Sequence, residues 1–253
     1  MLDHMFLDGL ENAADKQLMG CFAENCADQY HFSRQQQDAY AIESLRRAIR
    51  AIQNGSFADE ITPVSVTHKG QETSVQQDEQ PFKAKEEKIP TLKPSFRREG
   101  GTVTAANASS ISDGAAAVML MSAAQAKQRK LTPLAKIIAH TGHAQAPEDF
   151  TTAPISAIKK LLQKTAWSLN SVDLWEINEA FAVVAMAAMQ ELNLDSAKVN
   201  VNGGACALGH PIGATGARLI VTIVHALRQR KLTRGIAALC IGGGEATAMA
   251  VEC

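Results

Sequence analysis

Three short stretches hold the residues of this sequence that could do chemistry. The first, Asn200 to Gly216, surrounds one histidine, His210, with Gly203, Gly204, Gly209, Gly213 and Gly216. Glycine weakens helix and strand, and it permits positive φ and close approach of a second backbone or a ligand. Pro211 removes a backbone donor and fixes φ directly after the histidine. Two readings stand: a tight inter-element loop with an incidental histidine, or a preorganised site that aims His210 and bare N–H groups at a substrate. The second stretch, Leu239-Cys240-Ile241-Gly242-Gly243-Gly244, puts a thiol at the end of an apolar run. Cys240 is either a small core hydrophobe or a thiol at a strand end that faces a cavity. The third, Trp175-Glu176-Ile177-Asn178-Glu179-Ala180-Phe181-Ala182, places Asn178 and Glu179 where an apolar run becomes helical. Asn178 taken alone would serve as a helix cap.

In this order the Asn-Glu-Ala-Phe-Ala, Gly-His-Pro-Ile-Gly and Cys-Ile-Gly-Gly-Gly boxes, and the spacing between them, closely resemble those of the thiolase family. The likeness runs from Asp8-Gly9-Leu10 through Asn107-Ala108-Ser109 to the C-terminus. It implies chemistry on coenzyme A thioesters: Claisen condensation of two acyl-CoA molecules, or thiolysis of a 3-ketoacyl-CoA, in short-chain fatty acid metabolism of the β-oxidation type. Such chemistry removes a proton α to a thioester carbonyl, so it needs a base within reach of that proton and donors aimed at the enolate oxygen. The resemblance implies a base at Cys240, which suits that role if its thiolate is favoured, with the N–H groups of Gly242-Gly243-Gly244 in support. It assigns to His210 proton transfer from a nucleophilic thiol and donation to a thioester oxygen. Asn178 would hold a water at the same oxyanion site, and the Gly242 N–H would serve a second one. Acyl-CoA binding would use Ser109, Ala105, Phe96, Leu10, Met19, Ala180, Phe181 and Ile212, mostly as apolar walls. Coenzyme A enters as substrate and product, with no other cofactor and no metal. Leu18 replaces a histidine frequent in biosynthetic thiolases, and an expected arginine is absent near Phe82.

The resemblance also implies an acyl acceptor on a second cysteine near a helix N-terminus, and no other cysteine fits. Cys21 and Cys26 lie in a helical stripe, Cys206 in the glycine-rich loop, and Cys253 at the end. The expectation is therefore the C-terminal portion of a thiolase, inactive alone, that needs the nucleophile region or a separate N-terminal chain. The alternatives are a non-catalytic acyl-CoA-binding remnant and a structural subunit. A homo-oligomer or a poorly soluble monomer is expected, because the missing part of the fold would leave buried surface exposed.

The elements that must position these residues follow from patterning. Leu18, Phe22, Cys26 and Tyr30 recur every four residues, which predicts a helix. Ser33 with Gln36 reads as a capping box for a helix over 33–54, ended by Gly55. Residues 61–67 read as an edge strand with Pro63, and 68–101 as an extended loop. The lysines and arginines of 83–98 read as a solvated face, with phosphate contact as the alternative. Ala115 to Met121 is wholly apolar and predicts a buried strand or helix, followed by a short helix capped by Ser122. Leu131-Thr132-Pro133 marks a boundary between a unit over 1–131, a loop domain with the end of a thiolase N-terminal domain, and a thiolase C-terminal domain over 132–253. After it, strands at 134–140, 174–177, 199–201, 236–241 and 246–251 alternate with helices at 155–167, 180–192 and 214–228. That alternation is the signature of an α/β layered fold. The resemblance makes it the αβαβα thiolase arrangement, with the C-terminal half complete and the N-terminal half partly present.

Composition narrows the class. A chain of 253 residues with 46% hydrophobic and 20% charged residues suits a globular protein with a sizeable core. A formal net charge of −1 argues against general nucleic-acid binding. Five cysteines without CxxC pairs point to reduced thiols in a cytoplasmic setting. No apolar run of membrane-spanning length occurs, and Met1-Leu2-Asp3-His4-Met5 does not read as a signal or transit peptide.

Overall fold

The computed structural model describes residues 2–253. Helix α1 (Met19–Gln29) buries Phe22 and Cys26, as their spacing requires. The buried Glu24 carboxylate accepts from the N–H groups of Thr102 and Val103 at 2.9–3.0 Å, which ties α1 to the chain there. Helix α2 (Arg34–Gln53) begins at the expected capping box: Gln36 N–H donates to Ser33 Oγ at 3.2 Å, and Ser33 N–H to Gln36 Oε1 at 2.8 Å. A helix closed at its start this way needs little tertiary help to set its first turn.

Strands β1 (Val64–His68) and β2 (Gln71–Val75) form an exposed antiparallel hairpin through Lys69 and Gly70, both at positive φ. The loop expected from residue 68 onward therefore contains a strand. Gln-Glu-Thr-Ser-Val is polar on both faces up to Val75, so it carried no alternation to read. The apolar run Ala115 to Met121 is the larger correction: it forms neither strand nor helix, and Met119 and Leu120 are 84% and 68% exposed. A segment apolar on both faces needs neighbours on both faces, and the described residues place none over it. Helix α3 (Ala123–Gln128) follows, with Ser122 Oγ capping Gln125 N–H.

The second half is built on a four-stranded sheet in the order β3 (Lys136–Ala144), β6 (Glu245–Glu252), β5 (Arg234–Ile241), β4 (Leu174–Ile177). Only β4 and β5 run parallel. Helices α4 (Ala153–Thr165) and α5 (Ala182–Leu192) join α1 in the main core, where they meet Trp175, Ile177, Ile236, Ala238 and Cys240. After the single turn α6 (Ala205–Leu208), helix α7 (Ile212–Arg230) covers the opposite face through Ile223, Val224 and Leu227 against Leu174 and Val251. Helices thus lie on both faces of the sheet, the α/β layering that strand and helix alternation predicts. The alternation of side chains along a strand sends Cys240 toward α1 and Glu176 toward α7.

The strand expected at 199–201 is reduced to one bridge between Val199 and Trp175. Asn200 has φ +47°, which turns the chain away, and its side chain replaces the ladder. Its Oδ1 accepts from Ile177 N–H and its Nδ2 donates to Ile177 O, both at 2.8 Å. Among the described residues, no helix is long and apolar enough to cross a membrane.

Candidate active site

Asn178 leaves the end of β4, and its N–H donates to the Ala238 carbonyl of β5 at 2.9 Å. This sets Asn178 and Cys240 at the carboxyl ends of two neighbouring parallel strands, where α/β sheets leave their crevice. His210 sits between α6 and α7, and its N–H donates to Ser110 O at 3.2 Å. The ring is held at both nitrogens. Nδ1 lies 2.6 Å from Thr215 Oγ1, whose hydroxyl donates to Pro211 O at 3.0 Å, so the ring proton is on Nδ1. Nε2 keeps its lone pair and accepts from Asn178 Nδ2 at 3.3 Å. Burial, and then the Arg218 guanidinium, push His210 down to about 4, so the ring is neutral at pH 7. A neutral imidazole with an unprotonated Nε2 can accept a thiol proton in place of the Asn178 hydrogen bond, and becomes an N–H donor once it has done so.

Neither Thr215 nor Arg218 stood out in the sequence. The one signal was position: both lie on the first turns of the helix that follows His210-Pro211. Arg218 faces Glu176 at 3.4 Å, and burial pushes that carboxyl up to about 8. Nearby Glu60, whose Oε1 accepts from Thr222 at 3.0 Å, is pushed up to about 7, again by burial.

Cys240 is buried, and burial pushes its thiol up to about 12. Burial thus disfavours the thiolate on which its role as a base depends. Gly242 to Gly244 is the hairpin loop between β5 and β6, and the Gly244 N–H is spent on Ile241 O at 3.1 Å. The thiol is therefore protonated at neutral pH, which makes it a proton donor in its resting state. Met19 closes over this loop: a Cβ on Gly242 would lie 3.0 Å from its Sδ.

The other expected residues fall into two groups around the His210 loop. Ser109 donates from both N–H (3.0 Å) and Oγ (2.9 Å) to Ala180 O, and Phe181 meets Phe96 edge-on at 6.0 Å between centroids. Phe96 lies in turn against Gly20 of α1. On the other side Gly9, next to Leu10, approaches Ile212, which is 56% exposed at the start of α7. Ala105 lies exposed in the turn before Asn107, and Phe82 is also exposed. Of the remaining cysteines, Cys26 is buried and pushed up to about 11, and Cys206 is held well above its ordinary value, both by burial. Cys206 belongs to turn α6 and not to a loop. Cys21 is half-buried on α1, and Cys253 is exposed at the opposite end of the sheet, where its N–H donates to Thr233 O. Among the described residues no cluster of His, Cys, Asp and Glu could hold a metal ion.

Comparison with known proteins bears on the family and the fold. The family model for the thiolase N-terminal domain matches residues 1–124, and that for the thiolase C-terminal domain matches residues 131–253. A probable acetyl-CoA acetyltransferase of Dictyostelium discoideum is 48% identical over 252 residues, 99% of this chain and 61% of that protein. An acetyl-CoA acetyltransferase of Pseudomonas aeruginosa is 48% identical over 251 residues, 98% of this chain and 64% of that protein. Among solved structures, the Bacillus anthracis acetyl-CoA acetyltransferase superposes with a TM-score of 0.93 at 44% identity, covering 96% of this chain and 62% of its own. A thiolase from Ascaris suum in complex with coenzyme A gives 0.90 at 42% identity, covering 99% and 64%. The chain thus spans about three fifths of the length of these relatives.

Proposed function

The chain belongs to the thiolase family, and from that premise we propose that it carries the proton-transfer and enolate-binding half of an acyl-CoA C-acyltransferase site acting on short-chain substrates. The observation that carries the reading is the contact of His210 Nε2 with Asn178 at the end of β4, the strand next to the one that carries Cys240.

These protonation states suit thiolysis of a 3-ketoacyl-CoA. An acyl-accepting thiol gives its proton to His210 Nε2 and adds to the 3-keto carbon. The C2–C3 bond breaks, and its electron pair passes into the enolate of acetyl-CoA. His210 Nε2–H and the Asn178 amide face the enolate oxygen, and the Cys240 thiol supplies the proton to C2. The Cys240 thiolate then takes the proton of free coenzyme A. The coenzyme A sulfur removes the acyl group, and the released acceptor thiolate recovers its proton from His210. Run backward, the same steps are a Claisen condensation.

The acyl-accepting thiol in this scheme is one that the five cysteines of this sequence do not supply. Cys26 and Cys240 are buried and Cys206 half-buried, all three with the thiol held up by desolvation; Cys21 is half-buried on α1, and Cys253 lies at the far end of the sheet. The exposed apolar run Ala115 to Met121 supports a partner surface there, either an N-terminal thiolase chain or a second copy of this one. A reducing cytoplasmic setting fits five unpaired cysteines.

The test is acetyl-CoA in D2O with the 253-residue chain. Exchange of the C2 protons, rising with pH and abolished by Cys240→Ser and by His210→Ala, is the expected result. Binding of coenzyme A without exchange would move the chain to the non-catalytic alternative. Thiolysis of acetoacetyl-CoA by the chain alone would overturn the requirement for a further thiol.

A further inference from the structure

We propose that Glu179 is the positioning residue of this site, a buried carboxylate that sets the His210 loop against Asn178. The proposal rests on the assignment of His210 and Asn178 to the enolate oxygen and goes beyond it, since Glu179 touches no reacting atom.

Glu179 is 1% exposed and follows Asn178 directly. Its carboxylate accepts from four donors in three parts of the chain. Oε1 accepts from Tyr40 O–H at 2.8 Å and from Asn200 Nδ2 at 2.9 Å. Oε2 accepts from Ser44 O–H at 2.7 Å and from Cys206 N–H at 3.0 Å. The Ser44 hydroxyl donates here, because a carboxylate oxygen only accepts, and its own oxygen accepts Gly204 N–H at 3.0 Å. Burial, and then Glu179 itself, hold the Tyr40 phenol well above its ordinary value, so it too is a donor. Ser44 of α2 and the Glu179 carboxylate thus satisfy the N–H groups of Gly204 and Cys206 at the start of turn α6, which an isolated turn leaves open. Turn α6 runs straight into Gly209 and His210. A Cβ on Gly204 would overlap the Glu179 carboxylate, so the turn is seated on it with no spare room.

Only a carboxylate fits this donor set. Asn200 Nδ2 cannot become an acceptor, because its amide orientation is set by Ile177 N–H on Oδ1 and Ile177 O on Nδ2. The Cys206 N–H is backbone and always a donor. One such fixed donor faces each oxygen. A glutamine would therefore set an amide N–H against an N–H in either orientation, although it matches glutamate in size.

The test compares Glu179→Gln with the parent chain by two readouts. The first is the ring 15N spectrum and pH titration of His210, which needs no substrate. The second is C2 proton exchange of acetyl-CoA. In Glu179→Gln, displaced His210 ring resonances and a His210 midpoint shifted upward are expected, while His140 and His143 on β3 keep theirs. Exchange is expected to fall about 100-fold with KM within about threefold, the scale for a misplacement of about 1 Å. Unchanged His210 resonances in a folded Glu179→Gln would overturn the proposal. Loss of all histidine resonances together would also overturn it, since that marks Glu179 as merely structural. If the parent chain shows no exchange at all, the proposed function fails while the His210 spectrum still decides the role of Glu179.

Discussion

Thr215→Val is the cleanest single perturbation of the site. Thr215 is fully buried, and valine matches its shape, so no cavity opens. What disappears is the oxygen 2.6 Å from His210 Nδ1. The buried Nδ1–H is then left without an acceptor, at a cost of about 1–3 kcal/mol. The ring has one way out. It can carry its proton on Nε2 instead, provided the Asn178 amide turns its Oδ1, which has no partner among the described residues, toward the ring. At about 1.4 kcal/mol per tenfold, a penalty near the middle of that range moves the tautomer ratio about 30-fold toward Nε2–H. The Nε2 lone pair, the proton acceptor of the proposed mechanism, is lost with it. Ring 15N shifts separate protonated from unprotonated nitrogens directly, and Nδ1 of His210 should change from the first kind to the second. The midpoint of thermal unfolding should fall by about 4–8 °C, at about 2–4 °C per kcal/mol for a chain of this size. A Thr215→Val protein that keeps the Nδ1–H tautomer and melts within about 1 °C of the parent would refute the account of how His210 is held.

Two further outcomes follow from the same geometry. Gly204→Ala forces a methyl into the Glu179 carboxylate and should cost about 1–3 kcal/mol in urea unfolding, whereas Gly213→Ala, with open space around it in the first turn of α7, should be neutral or gain up to about 1 kcal/mol; equal effects would contradict the packing of turn α6. The folded state holds His210 at about 4 against an ordinary 6.5, so its contribution is full above pH 6.5 and is lost as pH falls toward 4. That displacement is worth about 3 kcal/mol, so the stability difference between the parent and His210→Gln should narrow by about that amount from pH 7 to pH 4, and a constant difference would exclude a buried neutral ring.

The elements of this protein were readable wherever a local rule decides them. The Ser33–Gln36 capping box, the apolar face of α2, the all-buried strand β4 and the glycine hairpin after Cys240 depend on residues within a few positions of one another. The three boxes and their order carried the family and its candidate catalytic residues, since each box folds as one tight unit. Three features required the assembled fold. Ala115 to Met121 reads as buried by hydrophobicity, but burial depends on whether another element covers it, which composition does not record. The Cys240 thiol reads as a thiolate beside glycines, but the desolvation that keeps it protonated comes from α1 packing over the sheet. Glu179 reads as one acidic residue at a helix start. Its four donors come from Tyr40 and Ser44 on α2, from Asn200 and from Cys206, up to 139 positions away. Local sequence determines which groups can donate, accept or turn. Burial and long-range pairing determine which of them are charged and where they point, and both are properties of surfaces that meet only after the chain has folded.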